Sequence, residues 1–464
     1  MVRNTDSFFM ILPLPTEETI AAIATAVSAG QGGIAIIRIS GPFAQKVGKK
    51  IIQLPTSQIW GSHKVLYGHV IDPANQNRID EVLILIMESP KSFTGEDVVE
   101  IHCHGGLINV QRILEKVLEQ PEVRRAFPGE FSQRAVLNGR LDLTQAEAIN
   151  DLISARSRKA AQLAMAGVDG DINRQMQSLR EKLLDQLSEI EARVDFEDEL
   201  PKLDEKALVQ ELFLIKNELD KLISDAKKAS FIRNGLKVAL IGLPNVGKSS
   251  LLNLLSKRNK AIVTEFPGTT RDLLESEIIL EGIPLTLIDT AGIRSTNNEV
   301  EKIGIALSQE ALNTADVVVL IFDISIGWTE EVLGLSQQIP KNIPMLLVGN
   351  KSDIRINTKN IKPDVIMSAL TGAGEEALIN ALLRTCGASE FAGLEIALNE
   401  RQLDLASLSV AALNKTLELA NQDMPWDFWT IDLRESIHKL GELTGDEISE
   451  ALLDKIFTRF CIGK

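Results

Sequence analysis

Residues 236–250 read LKVALIGLPNVGKSS, and this stretch decides how the middle of the chain folds. An apolar run of strand length ends at Gly242, and Gly247-Lys248-Ser249 follows after four residues. This spacing is typical of a phosphate-binding loop between a strand and a helix, where glycines let backbone N–H groups close around phosphate oxygens. The N-terminus of the following helix also attracts anions. The stretch therefore predicts a nucleotide-binding α/β domain.

The side chains of this loop have separate expected roles. Lys248 should neutralise the β- and γ-phosphates, and Ser249 should give an oxygen ligand to Mg²⁺. Asn245 has two interpretations: it ligates a monovalent cation beside the phosphates, or it only stabilises the loop. The residue by itself favours the second. The remaining residues expected around the phosphates are Val246, Gly247 and Ser250.

Two later motifs predict that the nucleotide is GTP. The first, Asp289-Thr290-Ala291-Gly292, follows an apolar run, where a carboxylate near the metal and a glycine that senses the γ-phosphate are needed. The second, Asn350-Lys351-Ser352-Asp353, follows another apolar run, at the edge where a parallel sheet binds ligands. Asp353 would accept the N1–H and the amino group of guanine, and adenine offers neither donor there. Ser368-Ala369-Leu370 is expected to contact the base through its backbone.

The residue after the Asp-Thr-Ala-Gly turn limits the mechanism. It is Ile293, at the position where Ras-like GTPases have the glutamine that orients the attacking water. An aliphatic side chain cannot orient water, so another group must do so. Thr269 and Thr270 lie in the loop between the phosphate loop and this turn, and Thr270 is the better candidate for a Mg²⁺ ligand that orders when the γ-phosphate binds. Nearby polar candidates for orienting the water are Arg294, Glu299 and Glu301.

The sequence around the motifs divides the chain into four segments. Residues 1–135 mix β-rich runs with a helical stretch at 106–119, which predicts an α+β N-terminal domain. Residues 136–234 and 386–464 have the apolar period of helices, and 235–385 alternate strands with helices. The predicted fold is therefore multidomain: an α+β domain, a discontinuous helical domain, and an inserted Ras-like α/β P-loop GTPase domain. Two independent helical domains are the alternative.

Local patterns give more detail in the helical segments. Thr144 and Glu147 have the spacing of a capping box at a helix start. Near the end of the chain, Ile448, Leu452, Ile456 and Phe460 indicate an apolar helix face. A longer apolar face is predicted from Ile172, Met176, Leu179, Leu183, Leu187, Ile190 and Val194.

Composition limits the kind of protein. The chain has 464 residues and a net charge of −15, from 64 acidic and 49 basic residues, so an RNA partner would need a local basic patch or a helper protein. Cys103, Cys386 and Cys461 lie far apart, which predicts no disulfide framework and a reducing compartment. The apolar run within residues 1–15 is too short to span a bilayer, and we interpret it as a loose extension. We expect a cytoplasmic protein.

The motifs and the flanking arms together resemble one family. PNVGKS, VTEFPGTTRD, DTAGIR and NKSD are similar to the translation-factor-related GTPases that depend on potassium. The arms contain GGIAIIRISG, SFTGEDVVEIHCHGG and FPGEFSQRAVLNGRLDLTQAEAI, and the chain ends in CIGK. From about residue 17 onward the chain resembles the MnmE (TrmE) family of tRNA-modification GTPases.

The resemblance implies a homodimer and a site for 5-formyl- or 5,10-methylene-tetrahydrofolate in the N-terminal domain. The matching positions are Arg38, Glu100, Arg140 and Lys464. The family often has Lys at the third position, so Arg140 keeps the charge but changes the geometry. By chemistry, Arg38 and Arg140 suit the glutamate tail of a folate, while Glu100 could accept from the amino-pyrimidine edge of the pterin. Surface ion pairs are the alternative interpretation of these three.

The resemblance also implies a potassium site formed by Asn245, Thr264, Thr269 and the carbonyl of Phe266, with Glu301 orienting the water. GTP and potassium would bring the two GTPase domains of a dimer face to face. The implied reaction adds a carboxymethylaminomethyl or aminomethyl group to carbon 5 of the wobble uridine of tRNA, with an FAD-containing partner, MnmG (GidA). The alternative functions are a ribosome-assembly GTPase that binds RNA without modifying it, and a scaffold in which GTP only sets the dimer geometry.

Cysteine and histidine residues leave alternatives open. Cys461 is either an inert residue of the tail or, as the resemblance implies, a nucleophile near the folate with its pKa lowered by Lys464. His102 and His104 flank Cys103 on a predicted strand, so both rings would share one face of the sheet. Packing is favoured over a metal site there, because further ligands at suitable spacing are lacking.

Overall fold

The structure, a computed structural model, consists of two compact units. One comprises Met1–Asn150 with Leu440–Lys464, and the other comprises Asp151–Lys439. The four segments drawn from the sequence have other limits and stay a prediction. At residues 257–258, 274–277, 289 and 450 only the backbone is described. The described residues are 18–28, 30, 32–55, 57–196, 201, 204–258, 274–280, 282–289, 314–358, 361–385, 394–422 and 424–463.

The first unit is built on a seven-stranded sheet with the order β3-β4-β5-β6-β2-β1-β7. Neighbouring strands are antiparallel, except for the parallel pair β1 and β7. The β-rich runs predicted from the sequence are confirmed in β2, β5 and β6. The strands are β1 (Thr19–Ile23), β2 (Ile34–Ser40), β3 (Ile52–Gln53), β4 (Val65–Ile71), β5 (Arg78–Met87), β6 (Val98–His104) and β7 (Val123–Arg125).

One face of this sheet carries the core of the unit. Alternate residues of β2, namely Ala35, Ile37 and Ile39, are fully buried and pack in a cluster with apolar residues of α1 and α2. This alternation is what a strand with one covered face requires. The predicted helix at 106–119 is confirmed in α2. The helices are α1 (Ala44–Ile51), α2 (Leu107–Leu118), α3 (Glu130–Leu137) and α4 (Leu143–Ser154), and α13 (Glu450–Phe457) returns from the end of the chain.

The cap of α4 differs from the prediction. Asp142 Oδ1 accepts from the backbone N–H of Gln145 at 2.8 Å, and Gln145 Oε1 accepts from the N–H of Asp142 at 3.0 Å. The reciprocal pair of a capping box is therefore Asp142 and Gln145, and the prediction of Thr144 with Glu147 is wrong. Thr144 instead lies inside the helix, fully buried, with its hydroxyl donating to Asp142.

The second unit contains the helical blocks on both sides of the nucleotide motifs. Six of the seven predicted apolar positions of α6 are buried, while Val194 near the helix end is 41% exposed. In this unit α11, which follows the motifs, packs against α7, which precedes them. The helices are α5 (Arg158–Val168), α6 (Asp171–Asp195), α7 (Glu205–Asn234), α11 (Glu400–Asn421) and most of α12 (Trp426–Thr444).

The same unit holds a six-stranded sheet with the order β13-β12-β11-β8-β10-β9. Its strands are parallel except for the edge pair β10 and β9, an antiparallel hairpin that the sequence patterns did not indicate. With the first unit, these elements confirm the predicted multidomain fold class. The strands are β8 (Leu236–Ile241), β9 (Leu274–Leu280), β10 (Ile283–Asp289), β11 (Val317–Asp323), β12 (Met345–Asn350) and β13 (Val365–Ile366). Their helices are α8 (Lys248–Arg258), α9 (Glu330–Gln338) and α10 (Glu375–Thr385).

The end of the chain packs into the first unit. In α13 the buried apolar residues are Leu453 and Phe457, which form a cluster with Leu143. Of the predicted face, Phe460 is buried in the same cluster and Ile448 and Ile456 pack against it, which confirms these three positions. Leu452 is 38% exposed, so the prediction is wrong there, and its neighbour Leu453 is buried instead. In the described parts of the chain, no helix has both the length and the apolar character that crossing a membrane requires.

We expect Phe457→Ala to lower the free energy of unfolding of the first unit by ~3–5 kcal/mol, because the ring is buried and its cavity can collapse only in part. The measurement is urea unfolding of the full chain, followed by hydrogen exchange of the amides in α3 and α13. Lys455→Ala is the matched control: the side chain is exposed on the same helix and should change this free energy by less than ~0.5 kcal/mol. Equal losses in both variants would contradict this packing.

Candidate functional site

The phosphate-binding loop leaves β8 and enters α8 as predicted. A Cβ atom at Gly242 would lie 2.2 Å from the carbonyl oxygen of Ile321 in the neighbouring β11, so this close approach requires glycine. Gly247 has φ +102°, and a Cβ atom there would lie 2.3 Å from Asn350 Nδ2. Lys248 Nζ donates to the carbonyl oxygens of Gly242, at 2.6 Å, and Leu243, at 3.0 Å. The loop thus folds around its lysine ammonium group.

Other phosphate-loop residues lie where an anion could approach them. Asn245 is exposed at the loop and has a left-handed backbone, with φ +62°. Ser249 and Ser250 are exposed in the first turn of α8, where unpaired N–H groups attract anions. Val246 is buried, and its carbonyl oxygen faces inward to Asn350. These positions are compatible with the expected phosphate contacts.

Asn350 connects the phosphate loop to the loop expected to recognise guanine. Its Nδ2 donates to the carbonyl oxygen of Val246 at 2.8 Å, and its Oδ1 accepts from the N–H of Ala369 at 2.8 Å. The side chain is only 2% exposed, so both hydrogen bonds are shielded from water. A single carboxamide therefore fixes three loops relative to one another.

The carboxylate of Asp353 lies beside the loop that follows β13. Ser368 Oγ donates to Asp353 Oδ1, and the backbone N–H of Ser352 donates to the carbonyl oxygen of Met367 at 3.1 Å. Ser368 is buried, whereas Asp353 is exposed and available to a ligand. Ser368 thus contacts, through its side chain, the residue that is expected to recognise guanine, whereas the sequence predicted only backbone contacts for this loop.

Asp323 is a charged residue of this site that the sequence analysis missed. It ends β11, and its Oδ2 lies 2.7 Å from Lys351 Nζ. Its Oδ1 accepts from the N–H and the hydroxyl of Ser325, at 3.0 and 2.6 Å. Burial alone would raise the pKa of Asp323, but the Lys351 and Ser325 contacts hold it below its ordinary value. The available signal was a carboxylate at the carboxyl end of the apolar run VVVLIFD.

Many predicted residues of the nucleotide site lie outside the described residues. The backbone of Asp289 ends β10 and pairs with Leu240 of β8, which brings its position close to the phosphate loop. Its side chain is not described. The other residues predicted for this site that lie outside the described residues are Thr264, Phe266, Thr269, Thr270, Thr290, Ala291, Gly292, Ile293, Arg294, Glu299 and Glu301. Cys386 and Lys464, which were not predicted for the nucleotide site, also lie outside the described residues.

A second candidate site lies on the sheet of the first unit. Arg38 of β2 and Glu100 of β6 are register partners, and Arg38 Nε lies 2.8 Å from Glu100 Oε1. The Arg38 guanidinium carbon lies 5.2 Å from the ring centre of Phe93 and 5.6 Å from that of Phe131. Two of the residues matched to folate binding thus form an ion pair beside two aromatic rings.

Glu100 also contacts a histidine. Its Oε2 lies 3.4 Å from His102 Nε2. Burial would raise the pKa of Glu100, but the His102 and Arg38 contacts lower it below its ordinary value. The carboxylate is therefore ionised at neutral pH and can accept hydrogen bonds. Arg140 is exposed, and its N–H donates to the carbonyl oxygen of Ala135 at 2.8 Å.

The C-terminal tail is held against the same unit. The N–H of Gly129 donates to the carbonyl oxygen of Cys461 at 3.3 Å, while the Cys461 side chain stays exposed. Gly463 has φ +93°, and a Cβ atom there would lie 2.3 Å from the carbonyl oxygen of Ile23. Since Ile23 pairs with Ile37, the tail reaches the strand end next to Arg38.

The neighbouring histidines have polar partners in the sheet. His104 Nδ1 lies 2.6 Å from Asp80 Oδ1. Cys103 lies between the histidines on the opposite, buried face, as predicted, and burial with the Asp80 charge raises the pKa of its thiol to about 11. Where side chains are described, no group of three or more His, Cys, Asp or Glu residues is arranged to hold a metal.

We expect Asp353→Asn to weaken GTP binding by about 100-fold or more, because the amide cannot accept both guanine donors. The same variant should bind xanthosine triphosphate more tightly than the unaltered protein does, since the new NH₂ group can donate to the 2-oxo group of xanthine. Competition against a fluorescent GDP analogue measures both affinities. Asp364→Asn is the control: Asp364 is exposed just before β13, at the end away from Ser368, and the variant should leave both affinities unchanged. Retained guanine preference in Asp353→Asn would exclude the assigned role.

Two family models together match most of the chain. The family model described as "GTP-binding protein TrmE N-terminus" matches residues 19–140, and "MnmE helical domain" matches residues 143–461. The tRNA modification GTPase MnmE of Prochlorococcus marinus strain SARG is 66% identical over 455 residues, covering 98% of this chain and 100% of the relative. The protein of the same name from strain MIT 9303 is 62% identical over 466 residues, with 98% and 100% coverage.

Among solved structures, Aquifex aeolicus Era bound to GDP·AlF₄⁻ is 26% identical, covers 38% of this chain and 66% of its own, and has a TM-score of 0.28. The family assignment rests on the sequence matches, which extend over nearly the whole chain. They confirm the resemblance found in the motifs. The chain belongs to the MnmE (TrmE) family of tRNA modification GTPases.

Proposed function

We propose that this protein is a potassium-activated GTPase that acts, with an FAD-containing partner of the MnmG (GidA) type, on the wobble uridine of tRNA. It uses a one-carbon unit of tetrahydrofolate to install a carboxymethylaminomethyl or aminomethyl group at carbon 5. The observation that carries the folate part is the ionised Glu100 carboxylate, paired with Arg38 beside Phe93 and Phe131. GTP hydrolysis is a separate reaction in the other unit.

The nucleotide site fits GTP with Mg²⁺. Lys248 supplies a positive charge at the phosphates, and Asp353 selects guanine. Ser249, exposed at the start of α8, and Thr270 are the proposed Mg²⁺ ligands, with Asp289 near the metal. Mg²⁺ supplies charge that offsets the phosphate oxygens. Asn350 keeps the guanine loop and the phosphate loop at a fixed spacing.

Potassium activation rests on two features of the chain. Ile293 cannot orient the attacking water, and Asn245 offers a side-chain oxygen within the phosphate loop. Asn245, Thr264, Thr269 and the carbonyl of Phe266 would hold the cation, which supplies positive charge where other GTPases use an arginine. Glu301 orients the water by accepting its hydrogen bond.

The folate site fits the chemistry of its proposed ligand. The Glu100 carboxylate would accept from the amino-pyrimidine edge of the pterin, and the rings of Phe93 and Phe131 offer an apolar surface nearby. Arg140, exposed, and Lys464 would bind the glutamate tail. The folate supplies the one-carbon unit. Cys461, exposed on the tail, is the proposed nucleophile beside it.

The proposed partners follow from the net charge of the chain and from the lack of a dinucleotide-binding motif in its sequence. With a net charge of −15, the chain relies on its homodimer and the flavoprotein to complete a surface for tRNA. No stretch of the sequence resembles a dinucleotide-binding fingerprint, so FAD comes with the partner. A ribosome-assembly switch that only binds RNA is the second candidate. It leaves the Arg38 and Glu100 arrangement without a purpose.

We expect single-turnover GTP hydrolysis to be about 10-fold or more faster in KCl than in NaCl, because the cation stabilises charge that develops between the phosphates. Asn245→Ala should remove most of this difference by removing a cation ligand. Glu301→Ala should slow hydrolysis in both salts by about 100-fold while leaving the affinity for GTP nearly intact. Rapid-quench assays measure the rates. Equal rates of the unaltered protein in the two salts would refute potassium activation.

We expect tRNA from cells that lack this protein to have lost the modification at carbon 5 of the wobble uridine, as read by nucleoside mass spectrometry. The unaltered gene should restore it. Glu100→Gln should fail to restore it, because the amide replaces the ionised acceptor for the pterin edge.

The purified Glu100→Gln variant provides the control for folding. It should hydrolyse GTP at the unaltered rate, since Glu100 and the nucleotide site belong to different units. In calorimetric titration its affinity for 5-formyl-tetrahydrofolate should fall by about 10-fold or more. An unchanged nucleoside profile in the deleted strain would favour the RNA-binding switch instead.

A further inference from the structure

Resting on the GTP site of the proposed function, we propose that Asp323 is a positioning residue of the guanine site, which holds Lys351 across the edge of the sheet so that the Lys351 side chain supports the purine ring. Asp323 ends β11 and is the register partner of Asn350, the last residue of the neighbouring β12. Lys351 follows directly. The carboxylate thus lies at the strand end adjacent to the first two residues of the guanine loop.

The ion pair is specific in its geometry. Lys351 Nζ lies 2.7 Å from Asp323 Oδ2, and the Asp323 and Lys351 side chains are 12% and 30% exposed. The other oxygen of Asp323 is occupied by the N–H and hydroxyl of Ser325. Both carboxylate oxygens therefore have defined partners, and the group cannot rotate away from the lysine without losing hydrogen bonds.

The backbone around the pair is fixed as well. The N–H of Ile324 donates to the carbonyl oxygen of Asn350 at 2.9 Å, and the N–H of Asn357 donates to the carbonyl oxygen of Ile324 at 2.9 Å. Ile324, in the turn that begins at Asp323, is thus hydrogen-bonded to both ends of the segment 350–357. The ion pair to Lys351 joins the same turn to the segment between these two bonds.

The conformation of Lys351 explains why a tether is needed. Its backbone has φ +66°, a left-handed conformation that a residue other than glycine adopts only at a cost in free energy. This turn directs the chain from Asn350, which braces the phosphate loop, to Asp353, which lies two residues further on. Fixing the ammonium group at Asp323 holds the four-carbon stem in one path and offers its apolar side to a base bound at Asp353.

This placement makes a prediction about base selectivity. Lys351 offers its stem to any purine ring, whereas Asp353 reads the N1 and amino groups that only guanine presents together. Loss of Asp323 should therefore weaken binding of GDP, IDP and XDP by the same factor. Loss of Asp353 should change the ratio among them.

The test is a double-mutant cycle in the full-length protein, with fluorescent GDP as the ligand and Asp323→Asn and Lys351→Met as the variants. Each single variant should bind fluorescent GDP about 10-fold more weakly than the unaltered protein. The affinity of the double variant should lie within about twofold of that of the weaker single variant. Ser325→Ala should have an intermediate effect because it removes one of the two hydrogen bonds to Asp323 Oδ1 and keeps the one from the backbone N–H. Unlabelled GDP, IDP and XDP should compete with unchanged ratios.

Asp316→Asn is the matched control. Asp316 precedes the same strand at its opposite end, is exposed, and accepts from the N–H of Lys237 at 2.9 Å. It should leave nucleotide affinity within about twofold, while thermal unfolding shows whether any variant loses the fold. Losses that multiply in the double variant, an Asp323→Asn protein that binds GDP normally, or changed base ratios would each overturn the proposal.

Discussion

The nucleotide site depends on the buried carboxamide of Asn350. Its Nδ2 donates to the phosphate loop at Val246 and its Oδ1 accepts from the loop after β13 at Ala369, so three separate loops meet at one side chain. A buried amide that loses a partner costs ~1–3 kcal/mol. The absence of a Cβ atom at Gly247 allows the loop to approach this amide closely. The shape of the phosphate loop and the position of Asp353 are thus coupled.

Burial and charge pairing build both candidate sites in a similar way. In the first unit, Arg38 and Glu100 face each other across β2 and β6, although 62 residues separate them. In the second, Asp323 at the end of β11 and Lys351 just after β12 meet, 28 positions apart in the sequence. In each pair, burial alone would raise the pKa of the carboxyl group, and the charged partner and hydrogen bonds hold that pKa below its ordinary value. The fold can therefore present a fixed charge where a ligand is expected.

The sequence predicted what depends on local spacing. The phosphate loop, the strand ends at Asp289 and Asn350, and the apolar face of α6 all follow from periods and motifs within one segment. It did not predict features that depend on register between strands, such as the Asp323 pair or the edge hairpin of β9 and β10. The prediction of which residue caps α4 was also wrong. Asp142 and Thr144 both have side chains that cap helices well, and it is the packing of the unit that buries Thr144 inside α4.

The backbone of the C-terminal tail is also held in a fixed position, although the residues concerned carry no charge. Gly463 lies so close to the carbonyl oxygen of Ile23 that any side chain would displace it, and Cys461 precedes it by two residues. A tail that only trailed into solvent would place no such demand on its backbone. Phe457 and Phe460, just before the tail, are buried in an apolar cluster. The exposed thiol of Cys461 therefore lies between a packed helix and a glycine whose position is fixed. Cys103, by contrast, is buried with its pKa raised to about 11 and cannot supply a thiolate at neutral pH. Of the two cysteines described in this unit, the tail residue is the one whose thiol is exposed to a ligand.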